Sequence, residues 1–513
     1  MLEHLKKEFN FAYTENMGVA YKTTNSALLD FFAQGGALRN RDEAEILRLF
    51  FRAMDENPID ALKLLFYFRD VRGGQGERRT FRIIAKHLAE TQNKSFAEAF
   101  ISLIPEYGRW DDVYEFFGTK NEEAAIAMIA EQLTKDMEKQ INGDMSISLL
   151  AKWLKSENAT SKETKMLAKK TRESLGLTPK QYRKMLSKMR AHLRLVENHM
   201  CNNEWSFIEY NKVPSKAMFK YREAFMRHDP IGYQKFLEDV KEGKAKINTQ
   251  TLYPYELVRA IMTQKVDSKE RLSLDAMWNN LPDYTKDDNS LVVVDVSGSM
   301  FGGDSLKPIF VSISLGIYLA ERNKGFYNNY FLTFSDTPEL IKIVGNDIVD
   351  KVRYLEQSNW GYNTNLQAVF HKILLTAIKN NLPQSEMPER IIIISDMEFD
   401  AAVSTARPAF SWNQQIYHTR SVLPHDTVME TIKDEYEAHG YSLPTLVFWN
   451  VDARNEQFPM KKEDENTLLV SGMSPAIAEA VMSGDFITPE SLMYGVINKE
   501  RYKKVEEVFG KVS

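Results

Sequence analysis

Residues 291–300 read LVVVDVSGSM. The four aliphatic residues at 291–294 fit a strand buried on both faces, the texture of a parallel sheet covered by helices. Asp295, Ser297 and Ser299 follow at alternate positions, at the strand end where open α/β sheets place their ligands. Gly298 permits a tight loop between them. One carboxylate and two hydroxyls converging from such a loop suit a single hard cation that prefers oxygen ligands, Mg2+ or Mn2+.

Outward from this stretch the texture repeats. Apolar runs at 330–334, 390–395, 445–450 and 467–470 read as further strands, and helical patterns fall at about 306–323, 364–380, 426–438 and 474–483. Strands alternating with helices imply βαβ units and a mostly parallel, doubly wound sheet. The stretch from 488 to 510 reads as one or two closing helices. Upstream, LPDYTKDDNS at 281–290 is polar and turn-rich, marking a boundary at about 280 between an all-α region (1–280) and an α/β region (281–513). The N-terminal region reads as helix after helix, with periodic apolar runs at 26–32, 44–54, 59–68, 79–89 and 124–137, as in a bundle or a curved array of stacked helix pairs.

Asp-x-Ser-x-Ser after an apolar strand resembles the metal-ion-dependent adhesion site (MIDAS) of von Willebrand factor A domains. That resemblance implies two further ligands: Thr364 in GYNTNLQAV and Asp396 in RIIIISDMEFD, which follow in the family's order. A Tyr-Asn pair precedes Thr364 where the family often has Gly-Gly, and Met397 follows Asp396 where it often has Gly. The implied metal ligands are therefore Asp295, Ser297, Ser299, Thr364 and Asp396, holding Mg2+ or Mn2+. Neutral hydroxyls leave such an ion most of its charge and an open position for an incoming acidic oxygen. The set lacks the paired base and nucleophile of a hydrolase, so no enzyme activity is expected. The connection 400–426, with Phe410, Trp412 and Tyr417, is equally a lid over the site or packing along the domain edge.

The chain has 513 residues, 43% hydrophobic and 27% charged, which excludes collagenous, disulfide-dense and wholly disordered classes and implies more than one domain. Its one cysteine, Cys201, fits a reducing compartment. The start MLEHLKKEFNF lacks the apolar core of a secretory signal, and no stretch approaches the length needed to span a bilayer. A cytoplasmic or nuclear protein without membrane attachment is expected.

Net charge is −5, yet residues 151–194 carry thirteen Lys or Arg against three Glu. Within QYRKMLSKMRAHLRLVE, apolar Tyr182, Met185, Leu186, Met189, Leu193 and Val196 share one helix face while Arg183, Lys184, Lys188, Arg190 and Arg194 fall largely off it. Lys169 and Lys170 lie in the helical stretch before it. Clustered cations of this kind attract a phosphate backbone, or form a solvated face met by acids elsewhere. A second cluster, FRDVRGGQGERRTFR at 68–82, sets Arg72, Arg78 and Arg79 around three glycines. It is either a phosphate contact or a helix–helix turn with structural Arg–carboxylate pairs, and it lacks the ending of a Walker loop.

The strings FRDVRGGQGER, IPEYGRWDD, WLKSENATSK and LYPYE resemble a widespread domain-of-unknown-function family that joins a helical region to a C-terminal von Willebrand A domain. In architecture that family is similar to the Ro autoantigen (TROVE) ribonucleoproteins, in which a ring of HEAT-like helices binds structured or defective RNA. The resemblance implies a non-enzymatic RNA-binding protein whose A domain holds Mg2+ and closes the ring or recruits a partner. The alternative is a metal-dependent adaptor that grips an acidic residue of a protein partner without RNA. The expected RNA contacts are Arg72, Arg78, Arg79, Lys169, Lys170, Arg183, Lys184, Lys188, Arg190 and Arg194.

Overall fold

A computed structural model describes residues 10–286, 289–302, 306–334, 338–357, 365–400 and 428–511. The chain forms two compact units that interleave in sequence. One comprises Met1–Pro58, Tyr253–Lys265 and Asp283–Asn498; the other comprises Ile59–Leu252, Val266–Pro282 and Lys499–Ser513. Two consecutive domains, 1–280 and 281–513, therefore describe the order of the elements but not their interleaving.

The first unit is built on a six-stranded mixed sheet. A hairpin of β1 (Phe11–Tyr13) and β2 (Val19–Tyr21) precedes it in the chain. The sheet holds β3 (Ser290–Val294), β4 (Tyr330–Thr333), β5 (Leu340–Lys342), β6 (Arg390–Ser395), β7 (Thr445–Asn450) and β8 (Thr467–Ser471), in the order β5-β4-β3-β6-β7-β8. All pairings are parallel except β4 with β5. Both β3 and β6 are buried along their whole length, which accounts for their unbroken aliphatic runs.

Alternate residues of β3 serve opposite layers. Leu291 and Val293 join a core with Val369, Phe370, Ile391, Ile393, Ile432 and Tyr436, from β6 and the helices Leu366–Asn380 and Val428–Ala438. On the other face the helix Pro308–Arg322 lies so close that a Cβ on Gly316 would sit 2.5 Å from Val294 Cγ2. Helix Pro254–Thr263, distant in sequence, packs on that helix and on Ile348–Glu356. The order of strands reverses at β3, with β4 on one side and β6 on the other, so the loops after β3 and β6 leave the same edge at a topological switch point.

The second unit is helical. Its helices include Arg79–Thr91, Lys94–Tyr107, Glu122–Ile141, Lys162–Ser174, Pro179–His192, Ser215–His228, Pro230–Lys241, Ser268–Asn279 and the closing Glu500–Phe509. Phe66, Phe81, Phe100, Tyr107 and Phe116 form an aromatic core with ring centroids 5.0–5.9 Å apart. The closing helix is fixed there by Arg501, whose Nη2 donates to Asp70 Oδ1 at 2.8 Å, and by Tyr502 OH, which donates to Asp70 Oδ2 at 3.2 Å. Among the described residues no helix is long and apolar enough to cross a membrane.

Candidate functional site

The loop after β3 turns immediately into a short 3-10 helix, Gly298–Phe301, which brings alternate side chains back over the strand end. Asp295 is fully buried and its backbone N–H still bonds across to Ile394 O at 3.0 Å. Its Oδ1 accepts from Ser297 N at 2.9 Å and its Oδ2 from Ser395 Oγ at 2.5 Å. Ser297 Oγ and Ser299 Oγ lie 3.0 Å apart. Asp396, the residue after β6, is also buried, and its Oδ1 accepts from Glu398 N at 3.3 Å. Two carboxylates and two hydroxyls thus share one end of the sheet.

Burial pushes the Asp396 carboxyl up, and the neighbouring Asp295 adds to this against the opposing pull of Arg454 and the Ser299 hydroxyl. Burial likewise raises Asp295, against the hydrogen bonds of Ser395 and Ser297. Two acids crowded out of water next to each other are neutralised by a proton or by a nearby cation. The donor set is all oxygen, half of it neutral, and fits a hard divalent ion held by Asp295, Ser297, Ser299 and Asp396. Thr364, the remaining expected ligand, lies outside the described residues, as do Phe410, Trp412 and Tyr417. Among the described residues no group of three or more His, Cys, Asp or Glu side chains could hold a metal, so among them the two acids have only hydroxyl groups to complete a donor set.

Met397, where glycine is frequent in the resembled family, has φ of +67°. A side chain in this region costs about 1–2 kcal/mol, and the strain sits directly beside Asp396. The bend aims Glu398 inward, where it is buried and accepts from Glu15 N at 2.8 Å, Asn455 Nδ2 at 2.9 Å and Gln457 Nε2 at 2.7 Å.

Sequence reasoning missed the third contributor, the loop after β7. Arg454 there places Nη2 3.0 Å from Asp396 Oδ2 and Nη1 3.0 Å from Glu15 Oε2. The available signal was topological: β7 is parallel to β6, so VDARNEQ leaves the same sheet edge as Asp396.

In the helical unit the expected RNA contacts divide. Helix Pro179–His192 starts with a capping box between Thr178 and Gln181 and buries Tyr182, Leu186 and Met189. Lys180, Arg183, Lys184 and Lys188 recur at spacings of three, one and four on the opposite face. All four are exposed, and among the described residues none is ion-paired. Arg194 is exposed too, within the field of Glu209. Lys170 is paired with Glu122 at 2.6 Å and Lys169 with Glu173 at 3.9 Å. Arg190 turns inward instead: Nε donates to Ala151 O at 2.9 Å and Nη2 to Leu154 O at 2.8 Å. Its guanidinium therefore braces the 151–155 segment and does not belong to the exposed row.

At the glycine-rich turn the structural alternative accounts for two arginines. Arg69 and Arg82 both close on Asp112, with Nη2 2.6 Å and 2.7 Å from its oxygens. Gly74 presses on the preceding helix, where a Cβ would lie 1.9 Å from Tyr67 O. Arg72, Arg78 and Arg79 remain exposed. The turn and the basic helix are linked through residues 151–155. The Arg109 guanidinium lies 4.2 Å from the Trp153 ring centre, Lys155 Nζ is 5.1 Å from the Tyr114 ring, and Tyr182 OH donates to Lys155 O at 2.8 Å. Burial depresses Arg109, and the like charges of Arg78 and Arg69 press it further down.

The structure is similar, at a TM-score of 0.41 and 15% sequence identity, to the crystal structure of Deinococcus radiodurans RO (RSR) protein, covering 90% of this chain and 100% of that one. Uncharacterized protein L728 of Acanthamoeba polyphaga mimivirus is 30% identical over 524 residues, spanning 95% of this chain and 87% of that protein. A family model described as domain of unknown function DUF7788 matches residues 289–510. A second, domain of unknown function DUF2828, matches residues 14–107 and 123–291, so that the chain belongs to the DUF2828 family, with a DUF7788 region following.

Proposed function

We propose that this protein is a non-enzymatic, Ro-like RNA-binding protein. Its helical unit holds the backbone of single-stranded RNA, and its α/β unit is a von Willebrand A-type module that docks an acidic group through Mg2+. The observation that carries the first part is the row Lys180, Arg183, Lys184 and Lys188, four exposed cations on one helix face without acidic partners among the described residues. Lys170, Arg172 and Arg190 of the same region are instead engaged by carboxylates or carbonyls. Unpaired cations release counterions when they meet phosphates, a sequence-independent attraction suited to single strands. The segment 151–155 joins this helix, on the side away from the row, to the neighbourhood of Arg109 and Arg78, and its half-buried Trp153 is an aromatic surface of the kind that tolerates any base.

The metal part rests on the donor set at Asp295, Ser297, Ser299 and Asp396. When bound, the ion supplies a Lewis-acidic position for an incoming carboxylate or phosphate oxygen. The chain's residues orient the site: Ser395 holds Asp295 in place, and the left-handed bend at Met397 presents Asp396.

The deciding experiment replaces Lys180, Arg183, Lys184 and Lys188 together by Glu and measures binding of single-stranded RNA by gel shift. Affinity is expected to fall by roughly a hundredfold or more, with an unchanged circular-dichroism spectrum because all four residues are exposed. Equal affinity in the two proteins overturns the reading. Recovery of a protein partner that chelation removes, with no RNA bound, supports the adaptor reading in its place.

A further inference from the structure

The sheet edge that presents Asp295 and Asp396 already carries a cation of its own. Asp396 has a wholly buried side chain, and although Arg454 is 29% exposed overall, its Nε and Nη2 are buried, so the two charges meet out of water. The guanidinium is held there from two directions. Asp396 Oδ2 lies 3.0 Å from Nη2, and Glu15 Oε2 lies 3.0 Å from Nη1.

Glu15 belongs to the tip of the β1–β2 hairpin, which is strapped over the loop after β6. Thr14 Oγ1 donates to Phe399 O at 2.6 Å, Glu15 N to Glu398 Oε2 at 2.8 Å and Asn16 Nδ2 to Glu398 O at 2.7 Å. Gly18 allows this approach, since a Cβ there would lie 2.5 Å from Phe399 O. Asn455, next to Arg454, donates to both Glu15 Oε1 and Glu398 Oε1, at 3.1 and 2.9 Å. The strap, the arginine and the acid of the candidate metal site therefore form one connected unit.

A guanidinium and a divalent ion are alternative neutralisers of one buried carboxylate. Placing both on Asp396 at once brings like charges within a few ångströms in a poorly solvated site, which is strongly repulsive. Resting on the reading of Asp295, Ser297, Ser299 and Asp396 as metal ligands, we propose that Arg454 is a built-in competitor for the metal. Tethered by Glu15, it occupies Asp396 in the metal-free protein, and metal entry displaces it and loosens the N-terminal hairpin. The hairpin is thereby a part of the chain whose anchoring reports whether the site is loaded.

The test titrates Mn2+ into the full-length chain by calorimetry and electron paramagnetic resonance. It compares wild type, Arg454→Gln, Glu15→Gln and Asp295→Asn, each checked for native secondary structure. A competitor lowers apparent affinity by the fraction of time the site is closed, so Arg454→Gln is expected to bind Mn2+ about tenfold tighter than wild type. Glu15→Gln, at a side chain half exposed and therefore tolerant of change, should also bind more tightly, by a smaller factor. In wild type, Mn2+ should accelerate amide exchange at Gly18 and Tyr21, whose N–H groups close the hairpin onto Thr14 and Phe458. Equal or weaker binding by both Arg454→Gln and Glu15→Gln, with wild type binding and Asp295→Asn not, overturns the competitor and leaves the metal site standing. Absence of Mn2+ binding in all four proteins removes the metal reading itself, and this proposal with it.

Discussion

Arg69 and Asp112 form a pair sealed inside the helical unit: Nε donates to Oδ2 at 2.8 Å and Nη2 lies 2.6 Å from the same oxygen, with the acid wholly buried and the arginine nearly so. Asp112 also receives Arg82 through Oδ1 and the backbone N–H of Arg109 at 3.0 Å. One carboxylate thus ties together the helix Pro58–Arg69, the helix Arg79–Thr91 and the turn after Tyr107. Cationic side chains among the described residues include a population that builds the fold in this way and another, Lys184 among it, that is exposed with no ion pair among the described residues.

Asp112→Asn tests the first population. The substitution keeps the shape but leaves Arg69 buried with its charge uncompensated, and breaking a buried pair of this kind costs about 3–5 kcal/mol. Urea unfolding should show that loss as a shifted midpoint. A shift no larger than that of an exposed pair such as Lys135 with Glu131 would show that the network is not holding these helices.

Arg190 and Lys184 separate the two populations on a single helix. Arg190→Ala leaves the carbonyls of Ala151 and Leu154 without their donor and should destabilise the chain by about 1–3 kcal/mol. Lys184→Ala should leave the melting temperature unchanged and weaken RNA binding. With four cations on a single strand, the plot of log affinity against log salt is expected to slope at about −3, and each single removal should make it shallower by about 0.7. A slope near zero in wild type would detach the exposed row from RNA binding.

Much of the sheet was legible because its strands are buried on both faces and advertise themselves as aliphatic runs. β6 and β7 have the bounds that the sequence suggests, 390–395 and 445–450. β5 was not legible: it is a three-residue edge strand in which half-buried Ile341 is flanked by exposed Leu340 and Lys342, a pattern too short to tell from a loop. Nor was the β1–β2 hairpin, whose strands are as short and whose turn, TENMG, lacks an Asn-Gly or Asp-Gly signal. The candidate site was legible from the residues themselves where they are local, as in Asp295, Ser297 and Ser299, and at Asp396 only through the resemblance, while its contacts with Arg454 and Glu15 were lost. Glu15 reaches Arg454 from the far end of the chain, and nothing in either segment announces the other. Among cations, spacing separated the exposed face of helix Pro179–His192 from its buried one but could not reveal that Arg190, at the margin of that face, turns toward backbone carbonyls.

Gly74 makes the glycine-rich turn testable as architecture. A methyl group at this position collides with the Tyr67 carbonyl, which is fixed in a helix, whereas at Gly73 it meets first the movable side chain of Arg501, at 2.9 Å from Cδ. Gly74→Ala should therefore cost about 3 kcal/mol and Gly73→Ala distinctly less. Matched thermal melts of the two variants decide it, and equal losses would mean that the turn tolerates a shift of its backbone.

Acid titration reads the arginine network from the other side. Burial works against the charge of Asp111, but Arg109 and Arg82 outweigh it and hold its carboxyl below the usual carboxylate range. Between the native and unfolded values the unfolded chain binds more protons, so the contribution of Asp111 to stability is complete above about pH 4 and drains away as the pH falls through the native value. Asp111→Asn removes that contribution at every pH. The gap in urea midpoint between wild type and Asp111→Asn should accordingly be widest at neutral pH, begin to narrow below about pH 4, and close under stronger acid. A gap that stays constant down to pH 3 would mean that what the variant loses is the shape of the Arg109 clamp, whose Nε and Nη2 each lie 3.0 Å from an Asp111 oxygen, and not its charge.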